Sequence, residues 1–153
     1  MRITDAFRGE HGVFYAQFDV IERIVPTAES AAEVRGLAEM LAAALVPHAK
    51  LEDELLFNPL EEYAGPDADP IEVMRFEHDD IESSLMRATT SRDLSEAREL
   101  LLQAVDRARE HFGKEELVVF PLADREIDRE KLDQLGEQWA SRRAVAVPSI
   151  SGA

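Results

Sequence analysis

Residues 93–121 read DLSEARELLLQAVDRAREHFGKEELVVFP, and their spacing decides the fold. Asp93 with Glu96 three residues on has the form of a capping box, and Pro121 is expected to stop the helix at Phe120. Alternating steps of three and four from Leu94 select Leu94, Ala97, Leu101, Ala104, Ala108, His111, Glu115 and Val118, with Leu122 next in step beyond Pro121. That stripe is the core-facing seam of a bundle helix. It is apolar except for His111 and Glu115, which lie one turn apart on the same face.

The same reading works outward to three more long helices. The first runs from about Thr4 to Val25 before Pro26, with the seam Phe7, His11, Phe14, Phe18, Ile21, Val25. The second opens at Thr27, a plausible N-cap, and continues to about Tyr63. Pro47 inside it should kink it or mark an irregularity. Its seam is Val34, Ala38, Leu41, Leu45, His48, Glu52, Leu55. The third follows Asp69-Pro70, a cap and a first-turn proline, and fades at Thr89-Thr90-Ser91. Its seam is Ile71, Met74, His78, Ile81, Leu85, Ala88. A shorter fifth helix is expected over about Asp128–Arg143, with Leu132, Leu135 and Trp139 packing on the bundle rather than forming a dimer surface. The predicted fold is all-α: an up-down-up-down four-helix bundle with a short additional C-terminal helix. One domain spans residues 1–143, and 144–153 is read as a flexible tail.

All four histidines of the chain fall in a seam, one per long helix, and two glutamates follow histidines at the fourth residue. A lone histidine of this kind is ordinarily a hydrogen-bonded core residue, and one His-x-x-x-Glu arises easily in an acidic helix. Two buried carboxylates facing each other are costly unless protonated or bridged by cations. The joint pattern therefore points to a carboxylate-bridged pair of metal ions on His11, His48, Glu52, His78, His111 and Glu115. In helices of alternating direction, the early His11 and His78 meet the late His48 and His111 at one level.

Composition narrows the chemistry. With 32 acidic against 17 basic residues the formal charge is −15, which repels nucleic acid and anionic lipid. Cysteine is absent, so thiolate sites, iron–sulfur clusters and cysteine nucleophiles are excluded. No secretory leader or membrane-length apolar run is visible, so the cytoplasm is the expected compartment.

Taken in order, Glu10-His11, His48-Ala-Lys-Leu-Glu52, Glu77-His78-Asp-Asp-Ile81 and His111-Phe-Gly-Lys-Glu115-Glu-Leu-Val-Val-Phe-Pro121 resemble the hemerythrin-like, or HHE cation-binding, family over about residues 5–122. The resemblance implies a four-helix bundle with a non-haem di-iron centre. His11 and His48 would bind one iron, His78 and His111 the other, and Glu52 and Glu115 would bridge them, with room for an oxo or hydroxo bridge. Imidazole and carboxylate donors suit iron, with manganese or zinc as alternatives. Oxygen-carrying members have a further histidine one turn before the position of His78, where Met74 stands here, and an aspartate at the fifth residue after the last histidine rather than Glu115 at the fourth. Both departures resemble the four-histidine branch. They leave a coordination position for solvent, substrate or a flanking Tyr15, Tyr63 or Glu82. An apolar lining of Phe14, Phe18, Leu45, Ile81 and Leu101 would admit small uncharged molecules.

Two functions follow as expectations. One is a di-iron protein that binds or reduces dioxygen, hydrogen peroxide or nitric oxide, in oxygen binding or oxidative stress. The alternative is an iron or oxygen sensor without turnover. A metal-free interaction bundle is disfavoured by the two seam glutamates. The oligomeric state is not legible.

Overall fold

A computed structural model describes residues 1–68 and 70–145, and the cap expected at Asp69 and most of the expected tail lie outside them. Helix α1 spans Ile3–Ile24 and ends in a 3-10 turn, Val25–Thr27. Helix α2 spans Ala31–Glu52, followed by a π-helical turn, Asp53–Phe57, and by α3, Asn58–Ala64. Helix α4 spans Pro70–Thr90. Helix α5 spans Leu94–Lys114 and runs through a second π-helical turn, Glu115–Val119, into α6, Phe120–Glu126. Helix α7 spans Arg129–Arg142. No strand occurs among the described residues.

Four local expectations need correction. The N-cap of α2 is Ser30, whose side chain accepts from Glu33 N–H, while Thr27 Oγ1 donates to Ile24 O. The helix runs through Pro47 uninterrupted, and the irregularity comes six residues later at Asp53. Helicity does not stop at Phe120 but continues past Pro121. Val118 is 50% exposed and Val119 is the buried residue, at 1%. One cause joins the last three. In each π-turn the N–H bonds five residues back, Asn58 to Asp53 O and Phe120 to Glu115 O. Pro59 or Pro121 follows at once. Proline has no N–H and its ring needs room at the carbonyl four residues back. The wider turn supplies that room and rotates the seam by one residue beyond it.

The buried side chains form two apolar layers. One holds Phe14, Phe18, Ile21, Leu41, Leu45, Ile81, Leu85, Leu101 and Ala104. The other holds Ile3, Phe7, Leu51, Leu55, Ile71, Met74, Val119, Phe120, Leu132 and Leu135. The first layer collects positions after the histidine on α1 and α4 and, Phe112 apart, before it on α2 and α5, and the second collects the reverse, as helices of alternating direction do. Cross-links at the ends agree. Arg35, early in α2, donates to Ser91 O beyond the end of α4, and Thr4 of α1 donates to Asp124 of α6 at 2.6 Å. Fully burying a Phe, Leu or Ile side chain contributes roughly 1.5–3 kcal/mol, so these layers carry the fold. The only histidines of the chain lie between them.

Helix α7 packs on the bundle. Its N-cap Asp128 accepts from Lys131 N–H at 2.8 Å. Leu132 and Leu135 enter the second layer. Gly136 lies against the Met1 backbone, where a Cβ would fall 2.1 Å from Met1 O. The helix closes with Ala144 N–H on Ser141 O and Val145 N–H on Ala140 O. The first two residues of the expected tail are therefore tied to the helix.

Candidate metal centre

Four helices each bring one imidazole to the waist between the apolar layers, and α2 and the start of the second π-turn bring Glu52 and Glu115. His11, His48, His78 and His111 are buried, and both glutamates are wholly inaccessible. Glu52 Oε1 lies 3.1 Å from His48 Nε2 and 3.4 Å from His11 Nε2, while its Oε2 lies 3.3 Å from His78 Nε2. Glu115 Oε2 lies 3.3 Å from His11 Nε2, and its Oε1 lies 3.3 Å from His111 Nε2. Each carboxylate thus turns one oxygen to the His11–His48 side and the other to the His78–His111 side. Donor atoms of His11, His48 and Glu52 fall within 4.8 Å of one another, as do those of Glu52, His78, His111 and Glu115.

Most of these atoms have no hydrogen-bond partner. His48 Nε2, His78 Nε2, His111 Nε2, Glu52 Oε2 and both Glu115 oxygens are buried and unsatisfied, six of the eight such side-chain atoms among the described residues. Native interiors leave few buried polar atoms unpaired, so a concentration of six at one point demands a partner. Nitrogen and oxygen donors in this number fit metal cations, which would satisfy all six at once.

The outward nitrogens are all satisfied, and by carboxylates. His11 Nδ1 bonds Glu116 at 2.8 Å, His48 Nδ1 bonds Glu10 at 2.5 Å, His78 Nδ1 bonds Asp53 at 3.2 Å, and His111 Nδ1 bonds Glu77 at 2.8 Å. A carboxylate only accepts, so each Nδ1 donates. A neutral ring held this way turns the lone pair of Nε2 inward, the arrangement that supports metal-bound histidine. Each acid is anchored in turn. Tyr15 Oη donates to Glu116 at 2.9 Å, Arg75 pairs with Asp53 at 3.3 Å, and Lys114 pairs with Glu77. Trp139 and Arg143 hold Glu10.

Electrostatics point the same way. Burial alone would push His11 down, but the Glu115 and Glu52 carboxylates raise it to about 10. His78 rises to about 10 against the same burial effect through Asp53 and Glu52. Burial opposes ionisation of Glu52, yet His48, His11 and His78 hold it well below the ordinary 4.5. Without metal, protonated His11 and His78 are what offset the buried charge of Glu52.

A cavity of ≈ 20 Å³ opens beside the histidines, lined by Leu45, His48, His78, Ile81, Glu82, Leu85, His111 and Phe112 among others. That volume holds about one water-sized molecule. Of the expected apolar lining, Leu45 and Ile81 face the cavity and Phe14 meets His48 edge-on at 5.0 Å. Phe18 and Leu101 lie in the apolar layer beyond. Of the flanking candidates, Glu82 lines the cavity. Tyr63 is exposed. Tyr15 gives its hydroxyl to Glu116 and is held protonated up to about 12 by burial and that acid. Met74 is buried in the second apolar layer.

Sequence reasoning missed the outer acids and the aromatic plates. Phe112 stacks on His11 at 3.8 Å with the planes 8° apart, and Phe57 stacks on His78 at 5.3 Å. Neither is a seam position. The acids had a signal: each is the immediate neighbour of a seam histidine or glutamate, namely Glu10-His11, Glu52-Asp53, Glu77-His78 and Glu115-Glu116. Each nevertheless serves a histidine of another helix.

Among known families, a model described as the hemerythrin HHE cation binding domain matches residues 2–123. No curated protein and no solved structure gives a significant match.

Proposed function

The chain belongs to the hemerythrin HHE cation-binding domain family, and from that premise we propose that it holds two iron ions and binds or reduces a small oxidant: dioxygen, hydrogen peroxide or nitric oxide. His11 and His48 would hold one ion and His78 and His111 the other, with Glu52 and Glu115 available to both. The observation that carries this reading is the convergence of six unpartnered buried donor atoms, with each carboxylate directed to both histidine pairs. When bound, such a pair supplies Lewis acidity and redox equivalents at the waist of the bundle.

The chain's own residues shape what reaches that point. The outer acids fix the tautomer and tilt of each imidazole. Phe112 and Phe57 clamp His11 and His78 from the side. The cavity walls of Leu45, Ile81, Leu85 and Phe112 favour a molecule that is small and weakly hydrated over a hydrated anion. Glu82 is the one carboxylate at that cavity.

A second reading, an iron or oxygen sensor without turnover, draws support from α7, which touches the centre through Glu10 and leaves Gln134, Glu137 and Gln138 exposed. Neither reading calls for a membrane, and no helix among the described residues is long and apolar enough to cross one.

The test is metal content and the visible spectrum of protein from iron-supplemented cells, followed by exposure to peroxide, nitric oxide and oxygen. About two irons per chain with consumption of one oxidant is the expected result. Iron bound with no turnover of any of the three selects the sensor. A folded protein that takes up no metal overturns both.

A further inference from the structure

Helix α7 lies beyond the residues that define the family, yet it touches the centre. Glu10 Oε2 accepts from His48 Nδ1 at 2.5 Å. Its Oε1 accepts from Trp139 Nε1 at 3.1 Å and from Arg143 Nε at 2.6 Å. We propose that Trp139 and Arg143 are positioning residues for His48, acting through Glu10, so that the docking of α7 sets how firmly the His11–His48 side holds metal.

This rests on the metal reading of the centre. The other three outer acids are held by residues of the bundle itself: Asp53 by Arg75, Glu77 by Lys114, Glu116 by Tyr15. Arg75 is shared with Asn58 and Glu61, and Lys114 is exposed. Glu10 alone among them is held from beyond the four long helices, by Trp139 of α7 and by Arg143 at the C-cap of α7. One of its oxygens is fully engaged outward and the other inward, so the carboxylate cannot swing without breaking a bond. The donors are themselves located. Leu132 and Leu135 seat α7 in the apolar layer, and Gly136 sits on the Met1 backbone. The N-terminal ammonium pairs with Asp133 at 3.2 Å. A supporting acid that is held still keeps the imidazole aimed and basic, and loss of such support typically weakens metal binding about 10–100-fold.

The test compares wild type, Trp139→Phe, Arg143→Met, the double variant and Arg143→Lys. Trp139→Phe keeps the ring and removes only the N–H. Two readouts are taken. In metal-free protein, proton–nitrogen spectra follow exchange of the His48 Nδ1–H with water. In cobalt(II)-loaded protein, the rate of metal loss to a chelator is measured. The double variant is expected to keep its helical circular dichroism, to exchange the His48 proton faster, and to lose cobalt about tenfold faster. Arg143→Lys is expected to stay near wild type, because a donor remains. Unchanged proton exchange together with unchanged cobalt loss in the double variant overturns the proposal. So does a single Trp139→Phe chain that unfolds, since the contact is then structural. Faster proton exchange in a chain whose wild type binds no cobalt supports the positioning role and sinks the metal reading, so the two failures are separable.

Discussion

Glu52 and Glu115 are the residues on which the centre turns, because each directs its two oxygens to different histidine pairs. Glu52→Ala and Glu115→Ala are each expected to cut bound iron to half or less of wild type, measured by elemental analysis of folded protein. Wild-type iron content in both variants would refute the ligand assignment. A pH prediction follows for the metal-free chain. His11 and His78 sit at about 10, against 6.5 unfolded, so the stability they give is complete below pH 6.5 and drains away as pH rises toward 10. Glu52 is depressed below 4.5, so its contribution is present above 4.5 and is lost as pH falls through its folded value. The urea midpoint of metal-free protein should therefore peak between those limits and fall by about pH 9, while metal-loaded protein, whose histidines carry no inward proton, should not fall in step. At this scale the convergence of the four histidines with Glu52 and Glu115 was legible, because a polar residue in an apolar seam stands out. Glu10, Asp53, Glu77 and Glu116 were not, because an acid beside a ligand looks like surface charge until the neighbouring helix is in place.

The helices themselves obey local chemistry, and most of their starts could be read. Asp93 accepts Glu96 N–H at 2.7 Å as expected of a cap, although Glu96 turns back to Ser91 Oγ rather than to the Asp93 backbone. Asp93→Ala should cost about 1 kcal/mol in a urea titration, with no change in metal content. Ala144 closes α7 at φ 55, a left-handed conformation that L side chains disfavour. Ala144→Gly should stabilise the protein by up to about 1 kcal/mol, read as a higher thermal midpoint. The π-turns escaped prediction for a definite reason. A pattern counted in threes and fours assumes a constant pitch, and an extra residue at Glu115–Val119 moves burial from Val118 to Val119. Pro121 was visible as a breaker, but a breaker does not announce that the helix will widen and go on, and Pro59 lay inside a stretch expected to be one helix to about Tyr63.

For the molecule as a whole, the polar waist between two apolar layers makes the folded state incomplete in its hydrogen bonding when no cation is bound. Metal that binds only the folded chain adds stability by mass action, so calorimetry should show a thermal midpoint several degrees higher with iron, abolished by a chelator; about 2.7 kcal/mol is gained at a hundredfold excess over the dissociation constant. Equal midpoints with and without iron would place metal elsewhere than the core. The layers were legible from the seams, since each seam changes from apolar to polar and back at the histidine. The attachment of α7 to Glu10 was not, because Trp139 and Glu10 are 129 positions apart and share no periodicity.

The four outer acids also form a circuit. Glu10 of α1 serves α2, Asp53 after α2 serves α4, Glu77 of α4 serves α5, and Glu116 after α5 serves α1. On α1 and α4 the acid precedes its neighbouring ligand by one residue, and on the two oppositely directed helices it follows by one. One residue is about 100° of rotation, and reversing both the helix and the offset restores the same sense of turn. Seen from one end, all four steps go round the same way. A mirror-ordered bundle of the same helices would point every acid away from its histidine. The two possible circulations of four helices are thus told apart by single-residue offsets: handedness is spelled in the chain by which side of a ligand the acid stands.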